Sequence, residues 1–139
     1  MNIIQYAMRE KTMKKTKKQI LEEKERKDQW KTLKFTVNGE KMLIDNLCKK
    51  IIATIAKNVG IEENKLIKIV SYMSILNNDN NGYQKFSFRS VSHALDFLQT
   101  KNFFSYHWSS GMILTELGIE LFCAIEKYRL NDETINYQG

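Results

Sequence analysis

The sequence contains no proline and only two cysteines, Cys48 and Cys123, among 139 residues. Without proline nothing obvious interrupts long helices, and frequent Lys, Glu, Leu and Ile favour helix formation. The cysteines stand far apart, and neither has a close histidine or cysteine, which fits neither a disulfide scaffold nor a zinc site. We expect a mainly α-helical protein with two buried thiols, no metal and no cofactor.

Long apolar runs are also missing, since none approaches the ~18 residues of a membrane-spanning helix. Residues 1–8 have neither a basic start nor a small-residue cleavage site, so they do not resemble a secretory signal. A chain of this length accommodates one compact domain. These features predict a cytoplasmic protein that does not enter the membrane.

The positive charge is concentrated at the amino terminus. The formal net charge is +6, and residues 1–34 alone hold 11 basic and 5 acidic side chains, whereas residues 107–139 hold 2 and 5. We therefore divide the chain into a basic arm, 1–34, and a body, 35–139. Within the arm, residues 14–29 contain only two apolar residues, Ile20 and Leu21, so we expect a solvated helix with loose phosphate contacts, although an arm without a specific role stays open. Its candidate phosphate ligands are Lys14, Lys15, Lys17 and Lys18.

The first half of the body predicts a hairpin followed by two helices. Asn38-Gly39 lies between alternating apolar residues and is typical of a two-residue β-hairpin. Asp45 can cap a helix that ends at Gly60, and a second helix is expected over 62–76. The composition of 77–82, NNDNNG, predicts a loop.

The second half predicts a helix, a hairpin and a terminal helix. Ser87 or Ser90 can cap the first of these, which runs over about three turns. Its expected buried residues are Val91, Ala94, Leu95 and Leu98. Residues 103–108 and 112–114 read as strands joined by a Ser-Ser-Gly turn, and Thr115 caps the last helix.

Residues 87–104 resemble the recognition helix and following strand of winged helix-turn-helix DNA-binding proteins. Such helices often read Ser-x-x-Thr-Val-Ser-x-x-Leu-x-x-Leu, and the matching residues are Ser87, Ser90, Val91, Ser92, Leu95 and Leu98. Residues 114–121, LTELGIEL, resemble the end of the wing, where a Leu-Thr-x-x-Gly pattern leads into a terminal helix. The resemblance covers roughly 45–130 and implies a mainly α fold with a small β-hairpin wing. The ending LTELGIELFCAIEKY is also similar to small plasmid and phage winged-helix proteins, including centromere-binding proteins of the TubR type.

This resemblance implies a DNA-binding surface at the start of the recognition helix and on the wing. Small polar side chains permit close approach to a groove, and the amides of a helix N-terminus suit a phosphate. The candidates are Lys85, Arg89, Ser90, Ser92 and His93 on or before the helix, and Tyr106, His107, Ser109 and Ser110 on the wing. Trp108 stands beside the turn and is a further candidate for contact with DNA, although a large aromatic side chain in this position is more often part of the packing.

A second helix-turn-helix register competes with this one. Residues 52–71 fit the apolar, small and turn positions of the older helix-turn-helix pattern, but the inserted helix would begin with Glu62 and Glu63 facing phosphates. We therefore assign 52–76 to two supporting helices and 88–100 to the recognition helix, which we also call the reader helix. Residues 77–82 would then form an elongated turn between the supporting helices and the recognition helix. The earlier register remains an alternative.

The terminal helix carries an apolar stripe that can either join two subunits or close the core. The stripe consists of Leu117, Leu121, Ile125 and Tyr128. A dimer is attractive because one short reading helix contacts only a few base pairs. Phe122 and Cys123 lie beside the stripe and are candidates for the domain interior.

No catalytic pattern stands out in the sequence, because the two histidines have no meaningful Ser or Asp spacing and there is no phosphate loop or acidic metal cluster. We expect a protein that is not an enzyme. The favoured function is sequence-specific binding of double-stranded DNA by a homodimer, as a transcriptional repressor or a plasmid or phage partition or replication regulator. The alternatives are a winged-helix module that binds a partner protein and RNA binding through the arm.

Overall fold

The computed structural model describes residues 16–23, 32–77 and 82–128, which form α-helices and small antiparallel hairpins. Residues 17–23 are helical and exposed, and we call them the arm helix. The elements of the body are β1 Leu33–Val37, β2 Glu40–Ile44, α1 Asn46–Lys57, α2 Glu63–Ser71, β3 Ile75–Asn77, β4 Gly82–Gln84, α3 Phe88–Thr100, β5 Phe104–His107, β6 Gly111–Leu114 and α4 Glu116–Lys127.

The first hairpin, β1–β2, confirms the Asn38-Gly39 prediction. Both turn residues have positive φ, 50° and 82°, as the two-residue turn that matches the strand twist requires. The strands pair from Val37 opposite Glu40 to Leu33 opposite Ile44. Strand β1 thus begins two residues before the boundary that the charge pattern suggested.

Helix α1 lies at the centre of the body. Its cap is Asp45, as expected, whose Oδ1 accepts a hydrogen bond of 2.9 Å from the amide of Cys48. Ile51, Ile52 and Ile55 are completely buried, because α1 packs against α2, α3 and α4 as well as β3 and β6. This one helix therefore supplies much of the core that holds the other elements in place.

A second hairpin, β3–β4, lies where the sequence predicted the end of a helix and a loop. Helix α2 ends at Ser71 rather than near 76, because Ile75 is buried as part of β3. The prediction of a loop over 77–82 was wrong at both ends, since the first and last of these residues pair across the hairpin. The Asn46 side chain secures this hairpin by donating a 3.0 Å hydrogen bond to the carbonyl of Leu76. Residues 78–81 lie outside the described chain.

Helix α3 confirms the predicted reader helix in position and length. Of the two candidate caps, Ser87 is used, and its hydroxyl accepts a 3.1 Å hydrogen bond from the amide of Ser90. Val91, Leu95 and Leu98 are buried and Ala94 is half-buried. The helix stops where Asn102 adopts a positive φ of 66° and the amide of Phe103 returns to the carbonyl of Leu98 at 3.0 Å.

The third hairpin, β5–β6, confirms that two strands lie here, but its loop is 108–110 rather than the predicted Ser-Ser-Gly turn, because β5 ends at His107 and Gly111 begins β6. His107 pairs with Gly111, whose φ of 74° suits the end of a three-residue hairpin loop. Close to its loop, the hairpin is attached to the corner between α1 and α2 through an antiparallel bridge between Ile61 and Met112. The amide of Gly60 donates to the Met112 carbonyl at 2.9 Å, and the Met112 amide donates to the Ile61 carbonyl at 3.0 Å.

Helix α4 begins at the expected cap. The Thr115 hydroxyl accepts from the amide of Gly118 at 3.1 Å and donates to the carbonyl of Asn102 at 2.6 Å. One side of α4 packs on the body of the same chain. Leu121 is completely buried, and Leu117, Ile125 and Tyr128 are half-buried against the core.

The two cysteines differ, so the prediction of two buried thiols is right for Cys48 and wrong for Cys123, which is exposed. Two residues correspond to about 200° around a helix, so a residue two positions after the buried Leu121 faces away from the core. Within the described part of the chain, no helix is long and apolar enough to cross a membrane.

Candidate nucleic-acid interface

Helix α3 has one buried face and one free face. Arg89, His93 and Asp96 are exposed at spacings of four and three residues, so they follow one stripe along the helix. Ser92 is half-buried beside that stripe. The helix therefore exposes a cation, a histidine and a carboxylate on a rigid support.

An open groove of about 440 Å³ lies between α2 and the first turns of α3. Its lining residues are Asn64, Ile67, Lys68, Phe88, Arg89 and Ser92. Lys68 and Arg89 come from different helices, and no lining side chain is acidic. The groove thus combines two positive charges with the positive end of the α3 dipole, an arrangement that favours an anionic partner.

The remaining residues predicted at the start of the reader occupy two different settings. Lys85 is exposed, two positions before the Ser87 cap. Ser90 is half-buried, and its hydroxyl accepts a 3.1 Å hydrogen bond from the Ser87 hydroxyl. The Ser90 side chain is therefore engaged in capping α3, while Lys85 is available to a ligand.

The third hairpin brings its predicted residues together at its outer end. Tyr106, His107, Ser109 and Ser110 are all exposed. Trp108 is 92% exposed, so the expectation that it belongs to the packing was wrong. The face of the hairpin that packs on the core is occupied by other residues, chiefly Phe104 and Met112, and the loop extends beyond them.

The arm residues are described only in part. Lys17 and Lys18 are exposed on the arm helix, whereas Lys14 and Lys15 lie outside the described residues. Thr16 and Gln19 cap this helix reciprocally, with hydrogen bonds of 3.0 and 3.2 Å between the side chain of each and the amide of the other. The exposed arm helix buries no apolar face, as the sequence predicted.

Sequence reasoning missed two members of this surface. Phe88 was not considered, yet it is 56% exposed in the groove, because the Ser87 cap makes it the first helical residue, ahead of the turns that pack on the core. Lys68 was assigned to a supporting helix, yet it lines the same groove as Arg89. The capping signal at Ser87 could have located Phe88, but the proximity of Lys68 depends on the tertiary packing of α2 on α3.

Cys48 does not form a reactive site. Burial raises the pKa of its thiol far above the usual range, and the negative charge of Asp45 adds to the effect. A neutral, buried thiol is a poor nucleophile and a poor metal ligand. No group of His, Cys, Asp and Glu side chains suited to a metal ion occurs among residues 16–23, 32–77 and 82–128.

Comparison with known proteins gives no relative: no family model, no curated protein and no solved structure matches the chain.

Proposed function

We propose that this chain is a sequence-specific double-stranded DNA-binding protein of the winged helix-turn-helix class that acts as a homodimer. In this proposal α3 enters the major groove and the third hairpin is the wing, lying against the neighbouring backbone or minor groove. The arm adds contacts to phosphates without choosing the sequence.

The order and attachment of the elements support the winged-helix assignment. Two supporting helices, α1 and α2, precede α3, and α3 leads directly into the β5–β6 hairpin and the terminal helix α4. The bridge between Ile61 and Met112 attaches the wing to the turn that connects the supporting helices. The second hairpin is an addition between the supporting pair and the reader.

The observation that carries the proposal is the groove shared by Lys68 and Arg89 beside the start of α3. A helix that enters a major groove needs positive groups near its N-terminus to hold phosphates, and small side chains that permit close approach. Arg89 and Ser92 meet these needs from α3, and Lys68 adds a second cation from α2. The earlier register stays an alternative, because Lys68 of α2 lines the same groove as Arg89.

Dimerisation is proposed through the terminal helix, with a modification of the stripe that the sequence suggested. Leu121 is taken up by the core of its own chain, so it cannot contribute to an interface without rearrangement. Ile119 is 51% exposed, and Cys123 follows it at four-residue spacing on the outer face of α4. The proposed interface therefore centres on Ile119 and Cys123, because the half-buried Leu117, Ile125 and Tyr128 lie with Leu121 on the side of α4 that packs on the body.

Transcriptional repression and the partition or replication control of a plasmid or phage are the proposed roles. Each needs a dimer that binds two half-sites about one helical turn apart. The test is selection of bound duplexes from a random pool. An enriched, two-fold symmetric site supports the proposal, and recovery of unenriched sequences contradicts it.

One observation favours a second candidate, a module that binds a partner protein. Phe88 and Ile67 give the α2–α3 groove an apolar wall, which suits an acidic peptide with an apolar anchor as well as a phosphate backbone. RNA binding through the arm is distinguished by competition. Structured RNA that displaces a selected duplex at equal concentration would favour RNA over DNA.

A further inference from the structure

Trp108 has the largest side chain of any residue type, and it is almost completely exposed. Its indole is 92% exposed at the first position of the loop between β5 and β6. An aromatic ring of this size represents 150–250 Å² of surface that gains much when buried against a partner. At 92% exposure it contributes little to the fold of its own chain, so its effect on a partner can be separated from its effect on stability.

The loop that carries Trp108 is held firmly. The amide of Ser110 donates to the carbonyl of His107 at 3.2 Å, closing the turn around Trp108. Below it, a β-carbon added to Gly111 would meet the Ile61 carbonyl oxygen at 2.9 Å, so the hairpin backbone lies directly on the α1–α2 corner. The main chain that carries Trp108 is therefore preorganised, so binding requires little further ordering of the loop backbone.

The wing also lacks formal charge. From Phe104 to Thr115 the sequence contains no Lys, Arg, Asp or Glu. Phosphate attraction is therefore available to the arm, Lys68 and Arg89, but not to the wing. The wing therefore contributes chiefly aromatic surface and hydrogen-bonding side chains.

From these observations we infer that Trp108 is a wedge that enters the minor groove of duplex DNA and partly unstacks one base step. The inference rests on the proposed function. The minor groove, about 6 Å wide, is too narrow for a two-stranded ribbon but admits a single flat ring. Apolar wedges of this kind open a base step and kink the duplex by about 20–90°. Pyrimidine–purine steps open most easily, so the wedge favours TA or CA/TG at its position.

The neighbouring residues fit this role. His107, Ser109 and Ser110 are exposed around Trp108, and their side chains are available to hydrogen-bond to the sugar–phosphate backbone on either side of the wedge. The arrangement gives sequence preference through DNA deformability, at a place where the protein makes no paired contact to a base edge. It also predicts a bent complex.

The experiment uses the full chain in a Trp30→Phe background, so that Trp108 is the only indole. A selected duplex carries 2-aminopurine at successive positions as a reporter of base stacking. We expect Trp108 emission to be quenched on binding, and 2-aminopurine emission to rise at one step in each half-site. Trp108→Ala should weaken binding about tenfold or more and abolish the rise, whereas Trp108→Phe should retain most of both.

Two controls separate the wedge from general effects. Leu43→Ala removes another exposed apolar side chain, on β2, and should leave affinity unchanged. The slope of affinity against salt should be the same for Trp108→Ala and the parent, because no charge is removed. Equal melting temperatures establish that the variants are folded.

The outcomes distinguish this inference from the proposed function. Duplex binding with unchanged Trp108 emission, or with full affinity in Trp108→Ala, overturns the wedge and leaves DNA binding intact. Quenching without any change in base stacking also overturns it, since the ring then stacks outside the helix. If neither the parent nor any variant binds duplex DNA, while a protein partner quenches Trp108, the proposed function fails as well.

Discussion

Gly118 and the backbone of Phe103 are in direct contact, because a β-carbon added to Gly118 would overlap the Phe103 carbonyl oxygen. The same Phe103 carbonyl accepts the amide of Thr115 at 3.2 Å, and the Thr115 hydroxyl reaches the preceding carbonyl, that of Asn102. The Leu-Thr-x-x-Gly pattern therefore joins the start of α4 to the end of α3. Threonine supplies the cap, and glycine supplies the space.

Substitution of Gly118 by alanine should therefore destabilise the fold by clash alone. Overpacking of a tight contact costs about 1–3 kcal/mol, and backbone atoms give way less easily than side chains. Gly39→Ala is the control, because Gly39 has a positive φ of 82° but open space around its β-carbon position. The Gly39→Ala variant should lose only about 1–2 kcal/mol of stability, which is the cost of a positive φ for a residue with a β-carbon. Urea denaturation of both variants measures the difference, and a Gly118→Ala variant as stable as the parent would contradict the contact.

Cys48 predicts a pH dependence of stability. The pKa of its thiol is raised in the folded state, so the unfolded chain releases this proton at lower pH than the folded chain does. The stabilisation of the folded state by the buried, neutral Cys48 thiol is complete at neutral pH. It is lost progressively as the pH rises above about 9, where the unfolded chain releases the proton. Urea denaturation of the parent and Cys48→Ala from pH 7 to 10 should show the parent losing more stability. Parallel curves would contradict the burial of this thiol.

The outer face of α4 predicts a change in subunit association. Ile119→Glu places a charge at the proposed interface without touching the core, so it should give a folded monomer in sedimentation experiments. Leu121→Ala is the control, because it removes a completely buried side chain and should cost about 2–5 kcal/mol of stability. A bismaleimide cross-linker adds an independent measurement through the exposed Cys123. A parent that is monomeric before any substitution would refute the dimer.

The arm predicts affinity without discrimination. Deletion of residues 1–29 removes the arm helix together with Lys17 and Lys18. Both lysines are exposed, and the arm helix buries no apolar face. Specific and random duplexes should lose affinity by the same factor, and the salt slope should become shallower. If only the ratio between the two affinities changes, then the arm contacts bases.

Much of the fold is predictable because its signals are local. Asn38-Gly39, Asp45, Ser87 and Thr115 each determine a turn or a helix start through chemistry within three residues, and each behaves in the structure as the sequence indicates. The buried stripe of α3 follows equally directly from its spacing. Such features do not depend on where the rest of the chain lies.

The second hairpin escaped prediction because its evidence is tertiary. Its strands have only three residues each, too few for an alternating pattern to stand out. The buried position of Ile75 and the bond from Asn46 to Leu76 decide its conformation, and both depend on α1 packing against β3. The helical spacing of the apolar residues alone predicts that α2 continues through this region.

The candidate site also combines features that local sequence signals predict with features that depend on tertiary packing. The exposure of Arg89 and His93 follows from the period of α3, whereas the groove between α2 and α3 depends on how the two helices meet. Trp108 was misjudged because composition favours burial of tryptophan, while the geometry of a hairpin loop determines which way its first residue points. The bridge at Ile61 and Met112, which joins distant parts of the chain, fixes that geometry.

The most direct test of the account is the binding of a selected duplex by Arg89→Ala, measured as a fluorescence titration at several salt concentrations. Arg89 should contribute one charge-assisted contact, so its loss should weaken specific binding by about 1–3 kcal/mol. Lys68→Ala should weaken binding less, and Lys41→Ala, an exposed lysine on β2 away from the groove, should bind as the parent does. A larger loss from Lys68→Ala would transfer the reading helix to α2, and equal, salt-independent affinity in all three variants would contradict DNA binding through this surface.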